Sequence, residues 1–311
     1  MFLALAGGVG GAKLAFGLAR VLPPADLTIV VNTGDDFDHL GLRICPDLDT
    51  VLYTLAGIAN PETGWGQANE TWNFMEALKR IGGDTWFQLG DRDLATHVER
   101  TRRLQCGEPL SAITGDLAAR LGIFHPILPA TDDPVPTVVR TADGDLPFQE
   151  YFVRRQCAPV VKGFDFVGAR QAQPSPALSD AFDSGEIDAI VICPSNPYVS
   201  IGPILAVPAI SDYVSNAGIP VIVVSPIVGG LAIKGPAAKM MTELGENPSV
   251  LSIANHYKGL ATAIVIDTAD AGAAKELIEL GIEVLVTDTI MKTAEDKERL
   301  ASDVLAFAAT L

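Results

Sequence analysis

Short apolar runs alternate with amphipathic segments from the first residues of this chain. Phe2–Ala6 is wholly apolar and ends in glycines, Lys13–Leu22 has helical periodicity, and Leu27–Val31 is a second apolar, β-branched run. A strand, a glycine turn, a helix and a second strand in this order form the βαβ pattern. The pattern predicts a parallel sheet that begins at the amino terminus.

The last third of the chain repeats this alternation. Its apolar runs are Ala189–Cys193, Pro220–Val224, Ala263–Ile266 and Glu283–Val286, and its helical segments lie near Ile204–Asn216, Pro236–Leu244, Ala271–Leu280 and Ala294–Thr310. Continuous apolar strands that alternate with helices are typical of a parallel sheet buried on both faces. We therefore predict an α/β fold: a Rossmann-like, mostly parallel sheet covered by helices on both faces.

The middle of the chain breaks the alternation. A mainly helical stretch is followed by one in which a D-G turn at Asp143-Gly144 separates Thr137–Arg140 from Phe148–Val153. This spacing predicts a β-hairpin. Because no flexible linker bounds the region, we predict one domain over residues 1–311, with a helical and β-hairpin subdomain inserted at about 65–185.

Composition and charge exclude several classes of protein. The 311 residues are 48% hydrophobic and 19% charged, and 22 basic against 38 acidic residues give a net charge of −16. An acidic surface argues against nucleic acid as a partner. Four scattered cysteines without a C-x-x-C pair indicate a reducing compartment. The longest later apolar stretch, Ile219–Ile233, is too short to span a bilayer, so we expect a cytoplasmic protein without a membrane segment.

A glycine-rich loop, Gly7–Gly11, follows the first predicted strand. Glycines let the backbone approach a phosphate, and the next helix start supplies N–H groups. The loop matches neither the dinucleotide fingerprint nor Walker A, so a tight strand-to-helix turn is the alternative interpretation. Its place at a first βα turn favours an anion site, with Gly8, Gly10, Gly11 and Lys13 as candidate contacts.

Further polar loops follow other predicted strands. Each is compatible with an ordinary βα turn, but all follow the carboxyl ends of strands, the edge where open α/β sheets bind ligands. Hydroxyl and amide groups at helix starts bind anions. The additional candidate nucleotide and phosphate contacts are Asn32, Ser195, Asn196, Ser200, Lys234 and Gly235.

Two acidic motifs complete the set. Pro46–Tyr53 carries Asp47 and Asp49 among apolar residues, where a carboxylate needs a cation, a donor or water. Asp49 is equally compatible with a helix cap. In the second motif, Gly90–Arg100, acidic and basic residues cluster at a helix start, which favours a solvated, salt-bridged helix.

Within this second motif, Asp93 and His97 are four residues apart and share a helix face. Arg92 is positioned to grip a phosphate in a forked geometry. A carboxylate and a single histidine at this spacing are weak evidence for a metal site.

Together these motifs resemble a known family. They are similar, in order and over nearly the whole chain, to the CofD family of 2-phospho-L-lactate transferases, known as FbiA in actinobacteria. The segments that carry the resemblance are Ala6–Lys13, Val31–Asp36, Pro46–Tyr53, Leu89–Asp93, Thr96-His97, Pro194–Pro197, Ser200–Pro203 and Ser225–Ile227, with Leu128-Pro129 and Asp132–Pro134 between them.

The resemblance implies a magnesium-dependent transferase of coenzyme F(420) biosynthesis. Such an enzyme moves 2-phospho-L-lactate or phosphoenolpyruvate from a guanosine diphosphate-linked donor to the ribityl hydroxyl of the deazaflavin Fo, and GMP leaves. A homodimer is the family-based expectation. No motif indicates which phospho-acid is transferred.

The resemblance also implies site residues. Asp49 occupies the position that contacts Fo in the family, and we hypothesise that it orients or deprotonates the hydroxyl, or binds magnesium with Asp47. The family lysine two residues before G-D-R-D is Gln88 here, so this Fo contact loses its charge. Trp65 and Trp72 are suited to stacking on the ring or to packing. The further residues placed near Fo are Asp91, Arg92, Thr96 and His97.

Two alternatives differ in class. A non-catalytic, nucleotide-sugar-binding regulator of the gluconeogenesis-factor type resembles the first loop, but Pro46–Tyr53 and Gly90–His97 match the transferases over their full length. A dinucleotide-dependent oxidoreductase would require the G-x-G-x-x-G fingerprint, which this chain lacks.

Overall fold

The computed structural model describes residues 1–233 and 235–311, so the predicted phosphate contact Lys234 lies outside the described residues. The strands are β1 (Phe2–Ala6), β2 (Leu27–Val31), β3 (Phe37–His39), β4 (Leu42–Ile44), β5 (Ile127–Pro129), β6 (Thr137–Thr141), β7 (Gly144–Pro147), β8 (Val161–Phe166), β9 (Ala189–Ile192), β10 (Val221–Val224), β11 (Ile227–Val228), β12 (Leu231–Ala232), β13 (Ala263–Asp267) and β14 (Glu283–Thr287).

Helices connect most of these strands. The α-helices are α1 (Gly8–Val21), α2 (Pro46–Leu55), α3 (Asn73–Arg80), α4 (Asp91–Gln105), α5 (Leu110–Arg120), α6 (Pro176–Ser184), α7 (Gly202–Leu205), α8 (Pro208–Asn216), α9 (Ala237–Glu243), α10 (Val250–His256), α11 (Ala274–Glu279) and α12 (Ala294–Ala308). Short 3₁₀ segments cover Pro24–Asp26 and Thr268–Ala273, and π-helical turns cover Glu150–Arg154 and Pro197–Ile201.

Seven strands form the central sheet, in the order β14-β13-β10-β9-β1-β2-β5. Every neighbouring pair in it is parallel. Strand order reverses beside β1, because the chain moves from β1 to β2 on one side and returns to β9 on the other. The predicted α/β, Rossmann-like sheet is confirmed.

Helices cover both faces of the sheet, as predicted. Side chains alternate along a strand, so Leu3 and Leu5 of β1 face one core whereas Ala4 and Ala6 face the other. The first core packs against α6 to α11. The second core packs against α1, α2, α5 and α12, and the alanines of β1 leave room for α1 to lie close to the sheet.

The middle of the chain forms a separate three-stranded antiparallel sheet, in the order β7-β6-β8. The predicted D-G turn joins β6 to β7, but the second hairpin strand covers residues 144–147. The expected strand at Phe148–Val153 is wrong, because that stretch turns into the π-helical segment. From within the predicted 65–185 subdomain, β5 pairs with β2 and so belongs to the central sheet.

One predicted helix, Ile204–Asn216, is two helices in the structure. Pro208 begins α8, and a proline has no N–H to continue the hydrogen bonds of the preceding helix. Among the described residues, no helix is long and apolar enough to cross a membrane.

Candidate functional site

Three loops meet at the carboxyl ends of β1, β2 and β9. We call this region the glycine edge and define it by Gly7–Gly11, Asn32–Asp36 and Pro194–Ser200. The Gly7 amide donates to Ser195 Oγ at 3.2 Å, and that hydroxyl donates to the Gly7 carbonyl at 2.8 Å. Asn32 Nδ2 donates to the carbonyl of Val199 at 3.2 Å. The predicted convergence of these loops is therefore present.

Glycine is required where the first loop passes the third. A Cβ on Gly10 would lie 2.2 Å from the Pro194 carbonyl oxygen, and one on Gly11 would lie 2.5 Å from Ser195 Oγ. Gly8 has φ +62°, a conformation that side chains with a Cβ rarely adopt. At the start of α1, these glycines therefore bring backbone N–H groups close to the third loop.

Two buried carboxylates share one donor at this edge. Asn32 Nδ2 lies 2.8 Å from Asp35 Oδ1 and 2.9 Å from Asp47 Oδ2. Burial raises the pKa of Asp47 to about 6, against the hydrogen bonds from Asn32 and the Gly8 amide. Burial and the neighbouring Asp47 raise the pKa of Asp35 well above its usual range. Among the described residues, no basic side chain forms an ion pair with Asp35 or Asp47. Two buried carboxylates so placed have the chemistry of a cation site.

The other predicted phosphate contacts have diverse surroundings. Lys13 Nζ donates to the Met291 carbonyl at 2.9 Å. Asn196 Oδ1 accepts from the amides of its own turn, at Tyr198 and Val199. Ser200 is buried, with Oγ 4.0 Å from the place of a Cβ on Gly8, whereas Gly235 is exposed.

A second polar cluster lies between α2 and α4. We call it the helix network and define it as Asp49, Tyr53, Asp93, His97 and Arg100. Arg100 Nη1 donates to Asp49 Oδ2 at 3.1 Å, and Arg100 Nη2 contacts Asp49 Oδ1. His97 Nε2 lies 3.3 Å from Asp93 Oδ2, and Tyr53 Oη donates to Asp93 Oδ1 at 2.6 Å. All five side chains are buried.

This burial excludes the solvated interpretation of the inner face of α4. Burial acts to raise the pKa of Asp93, but its contacts with His97, Tyr53 and Arg100 outweigh it, and the net shift is downward. The carboxylate of Asp93 is therefore held in its ionised form by donors that surround it.

The structure separates Asp47 from Asp49. Residues two apart on a helix do not face each other, so Asp47 faces Asn32 while Asp49 faces Arg100. The predicted joint magnesium site of these two aspartates is therefore not supported by their surroundings. Ligand atoms of Asp49, Asp93 and His97 do lie within 4.8 Å of one another, and the Arg100 guanidinium neutralises one of the two carboxylates, that of Asp49.

Other members of the G-D-R-D motif have structural partners or are exposed. The Asp91 carboxylate accepts from Thr71 Oγ1 at 2.6 Å and from the Phe74 amide at 3.0 Å, so it caps α3. Arg92 is exposed, and exposed Gln88 donates to the Thr85 carbonyl at 2.8 Å. Thr96 is half-buried on the same helix.

A small cavity opens beside the helix network. Asp93 forms part of its wall, together with Glu70 and two large aromatic side chains, Trp65 and Trp72. The tryptophans are 47% and 38% exposed, so they are not core residues. We call this space the aromatic cavity.

Sequence reasoning missed three residues that shape this region. Arg100 was considered only as a member of the polar helix, and the roles of Tyr53 and Glu70 had no signal in the spacing. Glu70 accepts from the amides of Arg92 and Asp93 at 2.8 Å each, and so caps α4. A capping residue is normally recognised directly before its helix. Glu70 is 21 residues before α4, so the sequence around G-D-R-D carried no signal for its role.

An open parallel sheet with polar glycine loops at its topological switch point defines a Rossmann-like ligand-binding protein. Residues 2–304 match the family model described as 2-phospho-L-lactate transferase CofD, so the chain belongs to the CofD family and is a transferase.

Curated relatives carry two names. A phosphoenolpyruvate transferase of Streptomyces griseus is 44% identical over 310 residues, which cover 98% of this chain and 97% of that protein. A 2-phospho-L-lactate transferase of Methanopyrus kandleri is 41% identical over 303 residues, which cover 97% and 95%. A UPF0052-family protein of Bacillus halodurans has the same fold, with a TM-score of 0.63 and 15% identity over 98% of both chains.

Proposed function

We propose that this transferase moves phosphoenolpyruvate or 2-phospho-L-lactate from a guanosine diphosphate-linked donor to the ribityl hydroxyl of Fo, with release of GMP, in coenzyme F(420) biosynthesis. The observation that carries the proposal is the glycine edge, where three loops meet and the buried carboxylates of Asp35 and Asp47 share the Asn32 side-chain amide. The homodimer and the cytoplasmic location that the family resemblance implies stay predictions.

The glycine edge suits the diphosphate of the donor. Gly8 and Gly10 lie in the first turn of α1, where backbone amides and the helix dipole favour an anion. Buried hydroxyls of Ser195 and Ser200 lie on the facing loop. A diphosphate that enters here meets the carboxylates of Asp35 and Asp47, so like charges must be bridged.

Magnesium fits this requirement. Asp35 and Asp47 offer oxygen ligands, the class that Mg²⁺ prefers, and they share the Asn32 side-chain amide as a donor. Bound Mg²⁺ would supply neutralisation of the charge that spreads over the diphosphate. The amides of the first turn orient the donor, and the carboxylates of Asp35 and Asp47 would hold the cation.

The aromatic cavity itself is only about 20 Å³, so we propose that the acceptor lies against the exposed side chains at its rim. Exposed Trp65 and Trp72 offer ring faces for a tricyclic aromatic, and Asp93 is the ionised group on the same wall. We also assign Asp49 to the acceptor side, because its ion pair with Arg100 fixes the buried end of the helix network.

The reaction is a phosphoryl-type transfer. The Fo hydroxyl oxygen forms a bond to the phosphorus that carries the organic acid, and the bond from this phosphorus to the bridging oxygen breaks. GMP leaves with the electron pair, and the hydroxyl proton passes to a carboxylate of the acceptor side. Catalysis of such transfers rests mainly on positioning and charge neutralisation.

The direct test supplies the protein with Fo, Mg²⁺ and each candidate donor in turn, and identifies the deazaflavin product and GMP by mass. We expect product with a phosphoenolpyruvyl or lactyl donor and none with EDTA. Asp49→Asn should lower turnover strongly while the protein stays folded by circular dichroism. Near-normal turnover of this variant would remove Asp49 from the site.

A regulator of the gluconeogenesis-factor type would behave differently. It would bind a nucleotide sugar without turnover of Fo, so binding without product in the same assay would favour it. The likeness to the UPF0052-family structure is 15% in sequence and shows the fold alone.

A further inference from the structure

Arg100 is the most buried charged side chain of the helix network. It is 1% exposed, and its two terminal nitrogens both contact the Asp49 carboxylate. Nη1 also lies 3.5 Å from the Arg43 carbonyl. A guanidinium held in this forked way cannot rotate without breaking two bonds at once, so Arg100 fixes the orientation of Asp49.

Arg100 also contacts His97. Its Nη1 lies 3.4 Å from His97 Nδ1. An arginine side chain has no acceptor, so this contact is a hydrogen bond only if Nδ1 carries no proton. The proton of a neutral imidazole is then on Nε2, which faces Asp93 Oδ2 at 3.3 Å without forming a hydrogen bond in this structure.

The network ends at the aromatic cavity. One carboxylate oxygen of Asp93 accepts a hydrogen bond from Tyr53 Oη, and the other faces His97. Asp93 also forms part of the cavity wall. A continuous series of polar contacts therefore runs from Asp49 through Arg100 and His97 to Asp93. Because each member has its partner on the other helix or one turn away, a change at Arg100 alters the geometry at the cavity.

Stability alone does not account for this arrangement. Replacing a buried ion pair by apolar side chains of similar volume is often neutral or stabilising, because the charges must leave water. The forked contact and the histidine tautomer instead define one orientation of each side chain.

We propose that Arg100 is a positioning residue of the transfer reaction: it fixes Asp49 and the Nε2–H tautomer of His97, and so turns this N–H toward the Asp93 carboxylate that receives the acceptor hydroxyl. This inference rests on the proposed function and deepens its acceptor side. Asp93 is the catalytic residue in this account.

Kinetics provide the first test. Arg100→Met should lower kcat about 100-fold, because a misplaced catalytic group has an effect of that order, while KM for the donor stays unchanged. Arg100→Lys should recover part of kcat, since it keeps the charge but not the fork. The double variant Asp49→Asn with Arg100→Met should be no slower than the slower single variant. Arg103→Met is the matched control, because Arg103 is on α4 but pairs with Glu108 and Asp116.

The opposite results overturn the inference. A normal kcat in folded Arg100→Met does so directly. A loss of kcat that is proportional to the fall in melting temperature in every variant, including Arg100→Lys, also does so. If Arg100→Met does not fold, the double variant decides, because it removes both charges of the Asp49–Arg100 pair and leaves neither without its partner.

Nitrogen-15 labelling of histidine gives a test that does not require turnover. The chain has four histidines, so the His97 signals can be assigned with His97→Gln. We expect a neutral Nε2–H imidazole in the wild type and loss of this signature in Arg100→Lys. A proton on Nδ1 in the wild type would overturn the inference. If Fo is not a substrate, the proposed function fails, but this spectrum still tests the link from Arg100 to His97.

Discussion

The glycine edge is built from backbone and small side chains, whereas the helix network is built from charged side chains of two helices. At the edge, positions follow from the sheet: β1, β2 and β9 are hydrogen-bonded neighbours, so the loops after them must meet. In the network, positions follow from the packing of α2 beside α4, which no strand pairing fixes. The geometry of the glycine edge should therefore tolerate substitutions elsewhere in the chain, whereas that of the helix network depends on each of its side chains.

Charge balance differs in the same way. Asp35 and Asp47 share one amide donor, while Asp49 has a full guanidinium partner in Arg100. We therefore predict a cation at the glycine edge, where neither carboxylate has a guanidinium partner among the described residues. Variants in each region test this difference.

The largest effect is expected from Gly10→Ala. The new Cβ would lie 2.2 Å from the Pro194 carbonyl oxygen, so the first and third loops must separate. We expect turnover to fall by about 100-fold or more, since the residues proposed to contact the diphosphate would move together. Gly115→Ala on α5 is the control, because nothing lies within 4 Å of its Cβ position. Normal turnover and melting temperature for Gly10→Ala would contradict this account of the edge.

Removal of one edge carboxylate should change magnesium dependence. In Asp47→Asn we expect the Mg²⁺ concentration for half-maximal turnover to rise about 10-fold or more, as for the loss of a group at other metal sites. Asp38→Asn is the control, since the side chain of Asp38 is 77% exposed. An unchanged magnesium titration for Asp47→Asn would place the cation elsewhere.

The aromatic cavity should show a smaller effect, limited to the acceptor. Trp65→Ala should raise KM for Fo about 10-fold, as stacking on one aromatic ring contributes on that scale, and leave KM for the donor unchanged. Steady-state kinetics with each substrate varied separately measure this. Phe124→Ala, at an 81% exposed aromatic, should change neither constant. Equal effects of the two variants would argue against the cavity.

Asp91→Asn should have the smallest effect, on stability alone. Hydrogen bonds from Thr71, Phe74 and Asn73 lower the pKa of Asp91 to about 2. A depressed folded-state pKa stabilises the fold above the ordinary value near 3.8, and this contribution is lost as pH falls through about 2.

We therefore expect a slightly lower melting temperature for Asp91→Asn at neutral pH and a smaller difference as pH is lowered below about 4. KM for Fo should not change, because the Asp91 carboxylate is occupied by the start of α3. A raised KM with normal stability would restore Asp91 to the acceptor site.

The pattern of residues predicted some parts of this molecule better than others. Apolar runs with β-branched residues located strands of the central sheet, because burial on both faces leaves a continuous signal. The hairpin was located by its D-G turn, but its second strand was placed too late along the chain. The residues of a turn determine where the chain reverses, whereas hydrogen bonding to the neighbouring strand determines where a strand ends.

For the candidate site, the sequence determined which chemical groups occur and that the glycine loops follow parallel strands, since strand direction alone brings them to one edge. Only the tertiary structure decided that Asp47 faces Asn32 while Asp49 faces Arg100, 51 residues away along the chain. The physical reason is that helix rotation and packing set the direction of a side chain. Neighbouring letters in a motif can therefore belong to two different sites.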